Sequence, residues 1–361
     1  MIYLDYQATT PLAPEAREAM LRWLDGPDGT GFGNPHSAHR LGRRAEAAVE
    51  LARDQVAALF PPGGRVIFTG SATEAINLAL RGSEPARAGK PLAIGAIEHS
   101  AVLDTALDLP GETTLLPVDR EALLDPQAPL PEGVGLVSVM QVNNEVGTVQ
   151  PIAELYARAK AAGALFVCDA VQAAGKMPLA EADMIAVSAH KFHGPKGIGA
   201  LWIRDGIALH PLITGGGQEG GLRSGTLSPA LCAGMGAAAQ LALARMEQDA
   251  AHVALLWDRA LELFSGWRLN GSADRRYKGN LNIRREGLDV GRLMSDAREV
   301  MFSAGSACAS ESGKPSRILS AIGLTQAEAR GSIRLGFGRY TTLSELEQAA
   351  DMIKDAAAQQ E

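Results

Sequence analysis

The densest run of chemically capable side chains lies between Asp183 and Arg204. An apolar run, Met184 to Val187, reads as a buried strand, and it ends in Ser188, His190 and Lys191. A glycine-rich turn follows (Gly194, Gly197, Gly199), and the apolar run Ile198 to Ile203 leads the chain away. A lysine at the end of a core strand is costly to leave dry and unpaired. Two readings are open. Lys191 is either a solvated lysine just past a strand end, as most lysines are, or an amine made nucleophilic by partial desolvation and neighbouring cations, able to form a Schiff base.

Other strand ends repeat the pattern. Val66 to Thr69 reads as a strand entering Gly70-Ser71-Ala72-Thr73-Glu74, where Ser71 and Glu74 fit a capping box and predict a helix start. Such an N-terminus is either simply capped or, with its free N–H groups and positive dipole end, a seat for phosphate. The spacing excludes a Walker loop and a G-x-G-x-x-G fingerprint. Leu92 to Ile97 closes on Glu98-His99-Ser100. His99 is either a satisfied structural imidazole or a group placed where open α/β sheets bind ligands. Leu136 to Val142 ends in Asn143-Asn144-Glu145-Val146-Gly147, and Leu165 to Cys168 ends at Asp169, with Gln172 three residues on.

The elements that must hold these groups alternate between strand and helix, the pattern of a largely parallel sheet covered by helices. Helices are expected at Glu15 to Leu24, about His39 to Phe60, Ile152 to Ala162, Ala230 to Ala250, Ala251 to Phe264 and Leu343 to Ala358, with a strand-like piece at Asn280 to Arg284. In such a sheet Thr73, His99, Asn144, Asp169, Gln172, Ser188, His190 and Lys191 converge on one rim. A lysine, a carboxylate, an imidazole and an anion cradle together suit a phosphorylated heteroaromatic aldehyde, pyridoxal 5′-phosphate. Cys308 lies in Ser303 to Gly313, a stretch too small and polar for a core strand, so an exposed loop is expected. Its thiol is either incidental or available for nucleophilic work. Cys168 and Cys232 sit in apolar surroundings and read as core packing.

The remaining composition narrows the class. The 361 residues allow two or three domains, and 46% apolar with 21% charged residues describes an ordinary globular chain. A net charge of −7 argues against a nucleic-acid partner. No apolar run reaches the length of a membrane span, and the N-terminus shows no basic region followed by an apolar stretch, so a cytoplasmic location is expected. Three scattered cysteines without a C-x-x-C pair argue against a disulfide framework and a structural zinc site, and no metal is expected.

Several stretches, in this order, resemble the cysteine desulfurases, fold-type I pyridoxal-phosphate enzymes of the class V aminotransferase group. They are Tyr3-Leu4-Asp5, Gly70 to Glu74, Glu98-His99, Val142 to Gly147, Asp169 to Gln172, Ser188 to Lys191, Arg223 to Thr226, Ser303 to Cys308 and Ser332 to Leu335. The resemblance implies a large domain over residues 15–250 with a mainly parallel seven-stranded sheet. It implies a smaller α+β domain from residues 1–14 and 251–361 that carries the cysteine loop. Lys191 then binds the coenzyme and moves the substrate's Cα proton, Asp169 pairs with the pyridine nitrogen, and Gln172 and Asn144 bond the phenolic oxygen. His99 stacks on the ring and serves as acid and base toward the substrate thiol. Thr73, Ser188 and His190 hold the phosphate, joined by Thr226 from a second subunit of a homodimer, and Ala72 adds a cofactor contact. Arg334 clamps the substrate carboxylate with Asn144 nearby, and the loop Gly215 to Gly221 lies near the dimer interface.

Implied too is the reaction: L-cysteine becomes L-alanine while Cys308 takes the sulfur as a persulfide, for delivery to an iron–sulfur scaffold or another sulfurtransferase. Lys314 stands where many relatives carry an acidic residue, and the chain stops soon after the helix near residue 350. Delivery to an iron–sulfur scaffold is the part these departures leave open. A selenocysteine lyase or another class V pyridoxal enzyme is the alternative. A non-catalytic paralogue acting as scaffold or partner subunit fits less well, because Lys191, Asp169, His99 and Cys308 are all present.

Overall fold

The computed structural model describes residues 1–305 and 316–360. Its centre is a seven-stranded sheet. Across it the strands run in the order Gly64–Thr69, Gly199–Arg204, Met184–Ser188, Leu165–Asp169, Leu136–Ser138, Leu92–Gly95 and Thr113–Leu116. Gly199–Arg204 pairs antiparallel with both of its neighbours and every other pairing in the sheet is parallel. Strands covered on both faces need apolar residues at nearly every position, and Met184–Ser188 is buried throughout. Alternate residues then serve opposite layers: Phe166, Cys168, Ile185 and Trp202 join one core, and Val167, Met184, Leu201 and Ile203 join the other.

One layer is closed by helices Pro14–Leu21 and Arg40–Ala57, both packed on the long helix Pro229–Leu263. The expected break near residue 250 is absent, and the two helices expected there are one of 35 residues. No glycine or proline falls between Ala237 and Leu263 to interrupt it. At 1.5 Å per residue it is about 50 Å long. It crosses from the sheet core, through Cys232, Met235 and Ala238, to a second core, through Val253, Leu256, Trp257 and Ala260.

The second core lies under a four-stranded antiparallel sheet, in the order Ser303–Ala304, Ser332–Gly336, Asn280–Arg284 and Arg268–Leu269. The closing helix Leu343–Ala358 buries Leu346, Ala349, Ala350, Ile353 and Ala357 on one face, and a full capping box of Thr342 and Glu345 fixes its start.

The N-terminal segment joins the two regions. Ile2–Tyr3 pairs with Val300–Met301, and Asp5 bridges to Gly336. The backbone then crosses to the lysine turn, where the N–H groups of Thr10 and Ala13 donate to the carbonyls of His190 and His193. The first helix and several strands end earlier than expected: regular pairing stops at Leu21, Gly95 and Ser138. Beyond Ser138 the backbone stays attached to the sheet, through Val139 N–H to Val167 O and Gln141 N–H to Asp169 O.

Candidate active site

Because neighbouring parallel strands point the same way, their polar last residues collect at one rim. Asp169 lies in register with Ala186, so the ends of Leu165–Asp169 and Met184–Ser188 are nearly flush. A cavity of about 360 Å³ opens there, in the range of small-molecule sites. Ala72, Thr73, His99, Asn144, Asp169, Gln172, Ser188, His190, Lys191 and Arg334 all line it. Thr226 does not: it is exposed and lies away from this chain's cavity. Cys308 and Lys314 lie outside the described residues.

Lys191 ends a single 3-10 turn, Ala189–Lys191, and its ammonium donates to the carbonyls of Gln7 and, at 2.9 Å, Ala8. His190 beside it shares a hydrogen bond with Thr9 Oγ1 at 3.2 Å. Burial first, then the positive charges of Lys191, Lys196 and Lys176, bring His190 down to about 4, so it is neutral at pH 7. His99 caps helix Ser100–Leu107: its Nδ1 accepts the Ala101 N–H at 3.1 Å, which leaves Nε2 as the ring nitrogen that carries a proton.

Asp169 is buried, and one of its oxygens accepts the Val171 N–H at 2.9 Å. Burial raises its carboxyl from the usual range, against the pull of His99, the Val171 N–H and Lys191. Behind it Glu98 is fully buried, with Oε1 on the Met140 N–H, and burial with the charge of Asp169 pushes its carboxyl well up. Cys168 and Cys232 are core residues as expected. Burial raises both thiols, Cys232 to about 12, so neither supplies a thiolate near neutral pH.

The helix Ala72–Gly82 starts at the rim with Ser71 Oγ accepting the Glu74 N–H at 3.2 Å. The other half of the expected capping box is missing. Glu74 bonds instead the Gly70 N–H at 2.7 Å and the Arg223 guanidinium. Strand residue Gly199 lies under this helix start: a Cβ there would sit 2.6 Å from the Ser71 carbonyl carbon and 2.8 Å from Ala72 N.

Across the cavity Arg334 projects from the antiparallel sheet and is fully buried. Its Nη2 reaches Asp5 Oδ1 at 2.7 Å and Ser303 Oγ at 3.1 Å, and its Nη1 donates to the Asn144 carbonyl at 3.1 Å. Asn280 donates to the same carbonyl, while Asn144 Oδ1 and Arg334 Nε are buried without a partner among the described residues. Buried polar atoms of this kind are costly unless something else satisfies them. Not expected from the sequence were Gln7, Ala8 and Met140 in the lining, Asp5 as the partner of Arg334, and Lys176, whose ammonium bonds Gln172 Oε1 at 3.1 Å. Of these, the four-residue spacing from Gln172 to Lys176 was the one visible signal.

The fold is that of fold-type I pyridoxal-phosphate enzymes, and the family described as Aminotransferase class-V matches residues 2–349, so the chain belongs to that family. Its relatives include a protein of Rickettsia felis named Cysteine desulfurase IscS, 42% identical over 98% of this chain and 90% of that protein. The protein of the same name from Rickettsia bellii is 41% identical over the same shares. Among solved structures, one titled NIFS-LIKE PROTEIN superposes with a TM-score of 0.90 at 30% identity over 98% of both chains. Another, titled SspA in complex with cysteine, gives 0.82 at 33% identity over 95% of this chain and 100% of the other. Within the family this chain groups with the cysteine desulfurases.

Proposed function

We propose that this chain is a pyridoxal 5′-phosphate-dependent cysteine desulfurase that converts L-cysteine to L-alanine and takes the sulfur onto Cys308 as a persulfide. The observation that carries this reading is the meeting, on one cavity, of the Lys191 amine, the Asp169 carboxylate, the start of helix Ala72–Gly82 and the Arg334 guanidinium. Each element of the coenzyme has a counterpart there. Lys191 offers the amine for its aldehyde, and Asp169 offers a carboxylate for its pyridine nitrogen. The N–H groups at Ala72 and Thr73, with Ser188 and neutral His190, offer donors for its phosphate. Asn144 Oδ1, buried without a partner among the described residues, is an acceptor that suits a donor group on a bound ligand. Bound there, the coenzyme supplies an electron sink that weakens bonds at the substrate's Cα.

The chain's own residues do the rest. Arg334, held through Nη2 by Asp5 and Ser303, offers its positive charge and its remaining Nε–H to the substrate carboxylate. Lys191 exchanges the Cα proton, and His99 holds or returns a proton at the substrate sulfur. The Cys308 thiolate attacks that sulfur. The carbon–sulfur bond breaks, a sulfur–sulfur bond forms on Cys308, and protonation of the carbon skeleton completes alanine. Gln172 and Asn144 bond the ring oxygen.

Thr226, exposed in one chain, fits a homodimer in which each subunit completes the other's phosphate site. A division into a large part, residues 15–250, and a small part, residues 1–14 and 251–361, is supported by the separate core of Val253, Leu256, Leu335 and Ile353, while Ala13 and the cluster of Ile97, Met140, Ile318 and Leu319 bridge the two. The acceptor is a sulfur-carrying protein, either an iron–sulfur scaffold or a sulfurtransferase, in the cytoplasm.

The test is direct. Purified protein loaded with the coenzyme should show a visible absorbance band and form alanine from cysteine. Cys308→Ala should keep the band and lose sulfide release, and Lys191→Ala should lose the coenzyme-linked band. Undiminished sulfide release from Cys308→Ala overturns the thiol's role, and a colourless loaded protein overturns the whole reading.

A further inference from the structure

Behind the cavity wall lies a second lysine that the proposed chemistry does not use. Lys176 follows Gln172 by one helical-type turn, and its ammonium donates to Gln172 Oε1 at 3.1 Å. The same ammonium lies over the Tyr277 ring, 5.0 Å from its centre. Gln172 Nε2 donates to the Gln7 carbonyl at 3.0 Å, and Lys191 donates to that carbonyl as well. An ammonium has no lone pair, so it can meet only the oxygen end of an amide. Lys176, when protonated, and the Gln7 carbonyl together fix which way round Gln172 sits, oxygen on the ammonium and nitrogen on the carbonyl. Of the two Nε2 hydrogens, one is taken by Gln7 and one is left to donate.

We propose that Lys176 is a positioning residue for the coenzyme's ring oxygen, acting through Gln172, which it orients as a donor and backs with a positive charge. This rests on the reading of the cavity as a pyridoxal-phosphate site. Its physical cost is visible in the surroundings. Lys191 faces Lys176 from the 3-10 turn, Tyr277 from the segment before strand Asn280–Arg284, and Asp249 and Arg339 share the smaller cavity that Lys176 borders. Its charge also helps to hold both His190 and His193 down at about 4. Burial and the like charge of Lys191 bring Lys176 itself down to about 7. An anionic oxygen just beyond Gln172 favours the protonated lysine and gains from it in return.

A positive charge behind the ring oxygen makes the Lys191–coenzyme link release its proton more readily, so removing the charge makes the link hold the proton to higher pH. The experiment titrates the visible band of the coenzyme-loaded protein for wild type, Lys176→Met, Lys176→Gln and Lys176→Arg. Lys176→Gln keeps a donor toward Gln172 without the charge, so it gives a second reading should Lys176→Met fold poorly. The pH midpoint of the band should rise by about one unit in the Met variant and by a measurable part of that in the Gln variant. The Arg variant should return it to within ~0.3 units of wild type, since charge and donor are both kept. An unchanged midpoint in any folded, coenzyme-loaded Met or Gln variant overturns the proposal. A wild-type protein with no visible band overturns the cavity reading instead, so the two failures are distinct.

Discussion

Arg334 and Lys191 approach the cavity from opposite sides, and each is held by groups far away in the chain. Arg334 is pinned by Asp5 and Ser303 with its fork fixed in one plane. Its Nε–H and fixed charge are what an incoming carboxylate can meet, and an ammonium cannot hold Asp5, Ser303 and Asn144 and still point a donor the same way. Arg334→Lys should therefore raise KM for cysteine by about tenfold or more with a smaller change in kcat, measured by steady-state alanine formation. Equal loss in both constants would place the residue's role in the chemical step. His190 behaves differently. Burial and three nearby lysines keep it neutral, so it serves as a hydrogen-bonding group near the proposed phosphate rather than as its counter-ion.

At the scale of elements, the approach of strand Gly199–Arg204 to the helix Ala72–Gly82 sets the height of the helix start above the rim. Glycine at 199 is required by space: any Cβ would meet the backbone of Ser71 and Ala72 at under 3 Å. Backbone on both sides leaves no flexible side chain to move aside. Gly199→Val should push the strand end and helix start apart and weaken coenzyme binding by about tenfold, given how steeply hydrogen bonds to an anion depend on position. Equilibrium titration with pyridoxal 5′-phosphate checks this, with Gly26→Ala as control, since nothing lies within 4 Å of a Cβ at that site. Equal affinity in both variants would show that the helix start does not carry the phosphate.

Across the whole molecule, the two cores are tied together near the site by Arg276. Its guanidinium donates to the carbonyls of Val146, Asn270, Ser272 and Asn280 and lies 5.0 Å from the centre of the Trp257 ring. Val146 belongs to the turn that carries Asn144, Asn280 begins the strand paired with Arg334's strand, and Trp257 sits on the long helix. Arg276→Met fills similar space yet leaves buried carbonyls without donors, at a cost of about 3 kcal/mol or more. A lower denaturation midpoint, followed by both circular dichroism and coenzyme absorbance, is the expected result. Two probes are needed because a chain with two cores need not unfold in one step. An unchanged midpoint would mean that the carbonyls find other partners.

What the chain settled by itself was local. Apolar runs of five or six residues ending in polar groups gave the strands and put Asp169, Ser188 and Lys191 at their ends. A cap residue gave the start of helix Ala72–Gly82. Both signals depend on neighbours within a few positions, so they survive in a linear reading. Tertiary structure decided what depends on distant parts of the chain. Gln7 and Ala8 meet Lys191 across more than 180 residues, and Asp5 meets Arg334 across 329. Glu74 gives up half of its capping box for Arg223, 149 residues on. The long helix could run through residue 250 because nothing local interrupts it, but that its two ends rest on different cores is not visible locally. Spacing lets a sequence propose partners within one turn or one strand, but only packing selects which buried charge faces which carbonyl.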